Sequence, residues 1–244
     1  MNKVYNSFLQ NQQANKKSLA VLIDPDDLDF SLLEEKIKIS VEANVDYFFL
    51  GGSLISHDCL DRALDIIRKN CNIPTVIFPG TVQQVNGKAD AILLLSLISG
   101  RNPETLIGKH VAAAPILKES GLEIISTGYL LIDSGRQTTA SYISNTLPIP
   151  HNKPQIAACT AMAGEMLGLK LTFMDGGSGA LNAISENMVA TVRKSVDGPI
   201  IIGGGIKTAE KAKAIYDAGA DVVVVGNAFE NNSELIREIA SARS

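Results

Sequence analysis

Three short apolar runs late in the chain each stop at glycine. Leu171-Thr172-Phe173-Met174 leads into Asp175-Gly176-Gly177-Ser178-Gly179-Ala180, Pro199-Ile200-Ile201-Ile202 into Gly203-Gly204-Gly205, and Val222-Val223-Val224-Val225 into Gly226-Asn227. Continuous apolar runs of this length suit parallel strands buried on both faces. Glycines at their ends let the backbone come close to a ligand, and the N–H groups opening each next helix point outward as donors. A single glycine-rich end is explained by a turn. Three in successive units, with Ser178 and Asn227 as extra hydrogen-bonding groups, predict a shared phosphate site.

The same rhythm runs back through the chain. Strands are expected at 19–23, 46–50, 74–78, 91–95, 122–132, 171–174, 199–202 and 222–225. Helical patterns fall at 30–41, 61–70, 103–118, 156–167, 182–196, 207–218 and from 230 towards 241, and residues 1–18 are polar and helix-compatible. Two places break the pattern. The fourth strand begins only about ten residues after Pro79-Gly80, so the third crossover has room for one short turn of helix at most. Residues 133–155 are polar, carry Pro148 and Pro150, and form the longest irregular stretch, a candidate active-site loop. Eight strands alternating with helices, no internal linker and a length of 244 residues predict a single-domain (β/α)8 TIM barrel over 1–244. A doubly wound sheet is the competing fold. Glycine-rich ends on strands six, seven and eight favour the closed barrel, where late and early strand ends share one mouth.

Composition narrows the function. A net charge of −4 gives no basic face for nucleic acid. Cys59, Cys71 and Cys159 are odd in number and lack metal-site spacing, which predicts reduced thiols in a cytoplasmic protein. His57, His110 and His151 are scattered. No apolar h-region opens the chain, and no run reaches the roughly 18 apolar residues of a membrane span. A membrane-derived substrate is therefore expected to come to a soluble protein.

Each remaining candidate carries two readings. Asp24-Pro25-Asp26-Asp27 ends the first strand, and carboxylates there face the barrel mouth. Mg²⁺ takes one or two carboxylates plus phosphate oxygens and water, and Asp24 is the better placed ligand. Aspartates there also suit a helix N-cap. Ser53, after Gly51-Gly52, either brings its hydroxyl to the same metal or caps the next helix. Asp175 either orients or deprotonates a substrate hydroxyl, or caps the helix that follows. Tyr129 reads as a core or rim tyrosine. Phe48, Phe78, Leu95 and Ile98 read as core, with some of them free to line an apolar channel.

Taken in order, Leu22-Ile23-Asp24-Pro25-Asp26, Leu50-Gly51-Gly52-Ser53, the 173–180 segment, Ile202-Gly203-Gly204-Gly205-Ile206-Lys207 and Val225-Gly226-Asn227-Ala228 resemble the geranylgeranylglyceryl phosphate synthase family, which includes bacterial heptaprenylglyceryl phosphate synthases. The last two pieces also occur in other phosphate-binding barrels. The resemblance implies that sn-glycerol 1-phosphate docks on Phe173, Met174, Asp175, Gly176, Gly177, Ser178, Gly179, Gly204, Gly205, Gly226 and Asn227. It implies Mg²⁺ held through Asp24 and Ser53, gripping the diphosphate of a polyprenyl diphosphate. It implies Asp175 and Asp24 as the catalytic pair, an ether product, and a homo-oligomer. It also implies a barrel whose third helix is an irregular segment.

Two positions depart from the family pattern, which usually has a tyrosine and a glutamate where this chain has Phe173 and Asp175. Leu22 stands where bacillus-like members carry a lysine, and this leans the reading towards geranylgeranyl diphosphate. An isomerase of a sugar or amino-acid pathway, using Asp24 with Asp175, is the rival enzyme. A barrel that binds a phosphorylated ligand without turnover is the non-enzymatic alternative. An aldolase is disfavoured because no strand interior carries a lysine.

Overall fold

The structure is a computed structural model, and it describes residues 3–26, 29–53, 59–226 and 234–243. Its elements are α1 (Lys3–Gln13), β1 (Ser18–Ile23), α2 (Phe30–Glu42), β2 (Tyr47–Leu50), α3 (Leu60–Asn70), β3 (Thr75–Ile77) and β4 (Ala91–Leu97). A π-helical turn (Glu104–Gly108) leads into α4 (Lys109–Glu119), followed by β5 (Glu123–Leu131), α5 (Thr139–Ser144), α6 (Pro154–Met166) and β6 (Leu171–Asp175). The chain continues with α7 (Glu186–Arg193), β7 (Ile200–Gly203), α8 (Ala209–Asp217), β8 (Val222–Val225) and α9 (Glu234–Ser241). The eight strands pair in parallel, in chain order, and β1 closes on β8 with Ser18 opposite Val222. The expected TIM barrel is present, and all strand C-termini share one rim.

Period-two alternation divides the strand side chains into two layers. Ala20, Phe49, Val76, Leu93, Ile125, Phe173, Ile201 and Val224 fill the barrel interior. Leu19, Val21, Phe48, Leu50, Ile77, Met174, Ile202 and Val223 pack outward under the helices. The alternation puts Phe173 and Asp175 inside the barrel and Met174 outside it. The bottom of the barrel is plugged by α1, whose Val4 and Phe8 join the interior cluster. Its orphan N–H groups at Val4 and Tyr5 donate to the Glu123 carboxylate, each at 2.8 Å.

The third crossover has no helix, as expected. Gln84, 3% exposed, takes over the role of tether. Its Oε1 accepts from the N–H groups of Gly80 and Thr81, and its Nε2 donates to the Gly52 carbonyl at 3.4 Å. Two expectations are corrected. The 133–155 stretch is not wholly irregular: Thr138 and Ser141 form a capping box that starts α5. The helix expected at 182–196 is shorter, because Ser185 caps it and starts it at Glu186. Asn182 instead docks on the β5–α5 loop through its N–H to the Ser134 carbonyl, at 3.0 Å.

Candidate active site

The strand ends surround a cavity of about 240 Å³. Asp24, Ser53, Phe173, Asp175, Gly177, Ser178, Gly179, Gly204, Gly205 and Gly226 all line it. Of the remaining expected site residues, Met174 points outward into the helix layer. Gly176 lines a separate surface cleft beside Ser134, and its N–H bonds the Gly203 carbonyl at 3.0 Å. Asn227, like Asp27 and His57, lies outside the described residues.

The glycine loops are built by close backbone contact. Gly177, Gly179, Gly204 and Gly205 all have φ between 72° and 85°, a region L side chains rarely adopt. A Cβ on Gly204 would lie 2.8 Å from the backbone nitrogens of Gly176 and Gly177, so the β6 and β7 loops touch only because that carbon is absent. The N–H groups of Gly204 and Gly205 are engaged by no other described residue. By contrast, the Gly177 N–H donates to Asp175 Oδ1 at 2.7 Å. The β6 loop therefore uses the Gly177 N–H to hold the carboxylate, while the Gly204 and Gly205 N–H groups of the β7 loop have no partner among the described residues.

Asp175 is buried and held at both oxygens. Its Oδ2 accepts from the Tyr129 hydroxyl at 2.6 Å. Burial pushes the Asp175 carboxyl above the usual carboxylate range, and the bonds from Tyr129 and Gly177 act in the opposite direction. Burial, followed by the adjacent Asp175 charge and the shared bond, holds the Tyr129 phenol far above its ordinary value. Tyr129 lies opposite Phe173 across the β5–β6 ladder. A phenol thus reaches the carboxylate from the neighbouring strand, although β6 itself carries Phe173. Sequence reading took Tyr129 for core or rim. Its inward parity on β5 and the strand order could have flagged it, since both are set by the barrel.

The capping alternatives do not hold. Asp29 caps α2, its side chain accepting from the Ser31 N–H. The cap position of α3 is Cys59, and Ser185 caps α7. Asp24, Ser53 and Asp175 are therefore not the caps of those helices. Asp24 Oδ1 accepts from the Asp26 N–H at 3.1 Å. Its Oδ2 lies where a Cβ on Gly52 would sit, 2.3 Å from that position, so the carboxylate rests on a bare glycine beside Ser53.

The opposite wall is aromatic and aliphatic. Phe78 stacks on Phe173 with ring centres 5.0 Å apart, and Tyr129 meets Phe173 edge-on at 5.6 Å. Val82, Val85, Leu93, Leu95, Ala113 and Leu117 extend this surface past the helix-free crossover. Phe78 and Leu95 are thus channel residues, whereas Phe48 belongs to the outer core.

Comparisons with known proteins place the chain in a family. Residues 12–243 match the PcrB family. A geranylgeranylglyceryl phosphate synthase of Chitinophaga pinensis is 55% identical, the alignment covering 99% of this chain and 96% of that protein. One from Spirosoma linguale is 50% identical, covering 93% and 92%. The crystal structure of (S)-3-O-geranylgeranylglyceryl phosphate synthase from Thermoplasma acidophilum, in complex with its substrate sn-glycerol-1-phosphate, superposes with a TM-score of 0.93 at 32% identity, covering 99% of this chain and 98% of that one. Matched over nearly its whole length, the chain belongs to the PcrB family, alongside the geranylgeranylglyceryl phosphate synthases to which it is similar.

Proposed function

We propose that the protein is a prenyltransferase that joins sn-glycerol 1-phosphate to geranylgeranyl diphosphate through an ether bond and releases diphosphate. The observation that carries this reading is the position of Asp175. Its carboxylate stands between glycine loops suited to a phosphate and an apolar, aromatic-walled cavity suited to a prenyl chain. The relatives named above carry this activity in their names, and one was solved with glycerol phosphate bound.

In this reading the acceptor phosphate sits on Gly179, Gly204, Gly205 and Gly226. Its 3-hydroxyl then faces Asp175, which orients it and takes its proton as the carbon–oxygen bond forms. A carboxyl raised by burial is a stronger base than a solvated one, and the Tyr129 and Gly177 bonds hold it in place. The C1–O bond of the donor breaks, diphosphate leaves with the bonding electrons, and the allylic cation lies near the faces of Phe78 and Phe173. The residues at the other rim fit Mg²⁺: Asp24 and Ser53 offer hard oxygen ligands on one cavity wall. Among the described residues no cluster of three His, Cys, Asp or Glu side chains forms a cage, in keeping with an ion that draws its other ligands from phosphate and water. When bound there, the ion would neutralise charge on the leaving diphosphate.

No described helix is long and apolar enough to cross a membrane. We also read the protein as cytoplasmic and homo-oligomeric. The exposed Ile107, Val111 and Ile116 support an oligomer contact, which light scattering after gel filtration would test. The central experiment incubates the protein with labelled sn-glycerol 1-phosphate, geranylgeranyl diphosphate and Mg²⁺. The expected result is a butanol-extractable labelled ether that chelation abolishes. No ether with either glycerol phosphate enantiomer and several prenyl lengths would overturn the reading. An ether formed in full after chelation would overturn the metal assignment.

A further inference from the structure

A leaving diphosphate is multiply charged, and the Asp24 rim brings a negative charge of its own. A single divalent ion on Asp24 leaves little positive charge to hold such a group, so a second cation is needed on that side of the mouth. Among the described residues lining the cavity, two carry ammonium groups: Lys207 and Lys109. Lys207 follows Gly204-Gly205 and belongs to the side of the acceptor phosphate.

Lys109 is the first residue of α4, and its half-buried side chain reaches back across the open third crossover. Its Nζ donates to the Gly80 carbonyl at 3.3 Å. Gly80 in turn lies against the next rim segment: a Cβ there would be 2.5 Å from the Gly52 carbonyl oxygen and 2.4 Å from that of Ser53. Gly52 carries the Asp24 carboxylate directly above it. Asp24, Gly52-Ser53, Gly80 and the Lys109 ammonium therefore form one continuous rim. Of the three ammonium donors only one is engaged by a described residue, and no described carboxylate pairs with Lys109. A half-buried cation with two unused donors, facing a cavity and not an acid, is arranged for an anionic ligand.

We propose that Lys109 binds the diphosphate of the prenyl donor on the same rim as Asp24 and sets the affinity for that substrate. The proposal rests on the prenyltransferase reading for its ligand, but its test does not need turnover. Calorimetry with inorganic diphosphate and Mg²⁺ is run on the wild-type protein, K109Q and K109R, alongside sn-glycerol 1-phosphate as a second titrant. Losing one charge-assisted bond weakens binding about tenfold or more. K109Q is expected to lose at least about that much affinity for diphosphate, and K109R to stay within about threefold of the wild type. Affinity for glycerol phosphate should be unchanged in both, and the KM for geranylgeranyl diphosphate should rise in K109Q with little change in kcat. A role in tying the crossover alone predicts a lower melting temperature and parallel losses for both ligands, which would overturn the proposal. So would an unchanged diphosphate affinity in K109Q, or no binding by the wild type. If K109Q does not fold, a K109R protein that folds but binds no diphosphate would also overturn it. Diphosphate binding that depends on Lys109 without ether formation would sink the activity and leave this site standing; ether formation with K109Q unaffected would do the reverse.

Discussion

Asp175 holds its place through two bonds of opposite origin, one from its own loop and one from the next strand. Replacing Tyr129 by Phe removes the second. The carboxylate then loses one of the two bonds that hold it in place, and that loss of positioning should lower turnover by about 10- to 100-fold. Because that bond lowers the Asp175 pKa, its loss raises it further, and the acid limb of the pH–rate profile should move to higher pH. An unmoved limb would mean that Asp175 is not the titrating base. Asp175 also has a stability sign. Its folded pKa lies above the unfolded value, so the folded state is favoured while the group is protonated and loses stability as pH rises through the folded pKa. Asp175→Asn should therefore match or exceed the wild type in melting temperature at neutral pH, with the advantage shrinking as pH falls into the ordinary carboxylate range. The same variant should be inactive, a trade common at functional sites.

Elements carry the next set of consequences. Where two glycine loops touch, Gly204→Ala places a methyl against the backbone of Gly176 and Gly177 in a left-handed conformation. It should cost about 1–2 kcal/mol or more in chemical denaturation and raise the KM for glycerol phosphate more than that for the prenyl donor. In the helix-free crossover, Gln84→Ala removes one buried amide that holds two N–H groups and a carbonyl. A loss of about 1–3 kcal/mol is expected, with faster amide exchange confined to residues 78–90. Uniform exchange throughout the barrel would show that this segment is not locally tethered.

At the scale of the whole molecule the two ends of the barrel have different work. The rim binds and reacts, while the base stabilises. Phe8 of α1 sits 1% exposed in the plug and meets the Tyr47 ring at 4.6 Å. Phe8→Ala should cost about 3–5 kcal/mol, read as a lower denaturation midpoint, while KM for both substrates stays at the wild-type value. A changed KM would mean that the plug and the mouth are coupled through the barrel interior.

Much of this architecture was legible in the linear chain. Mostly apolar runs marked the eight strands, the fifth of them interrupted at Thr127-Gly128, since strands covered on both faces carry few polar residues. The short third crossover followed from chain length alone, and the glycine ends from the conformations they alone adopt. Asp24, Ser53 and Asp175 were readable as mouth residues because they end strands. What needed the closed barrel were relations across it. The Tyr129 bond to Asp175 joins residues 46 positions apart in sequence, and only the β5–β6 register brings them together. The outward turn of Met174 follows from strand parity in the closed sheet, and the early start of α7 from a local cap. The reach of Lys109 to Gly80 exists because no helix fills the third crossover, a gap that becomes a neighbour only when the strands close into a ring. Local chemistry writes the strands and their ends, whereas pairing between distant strands decides which side chains share the mouth.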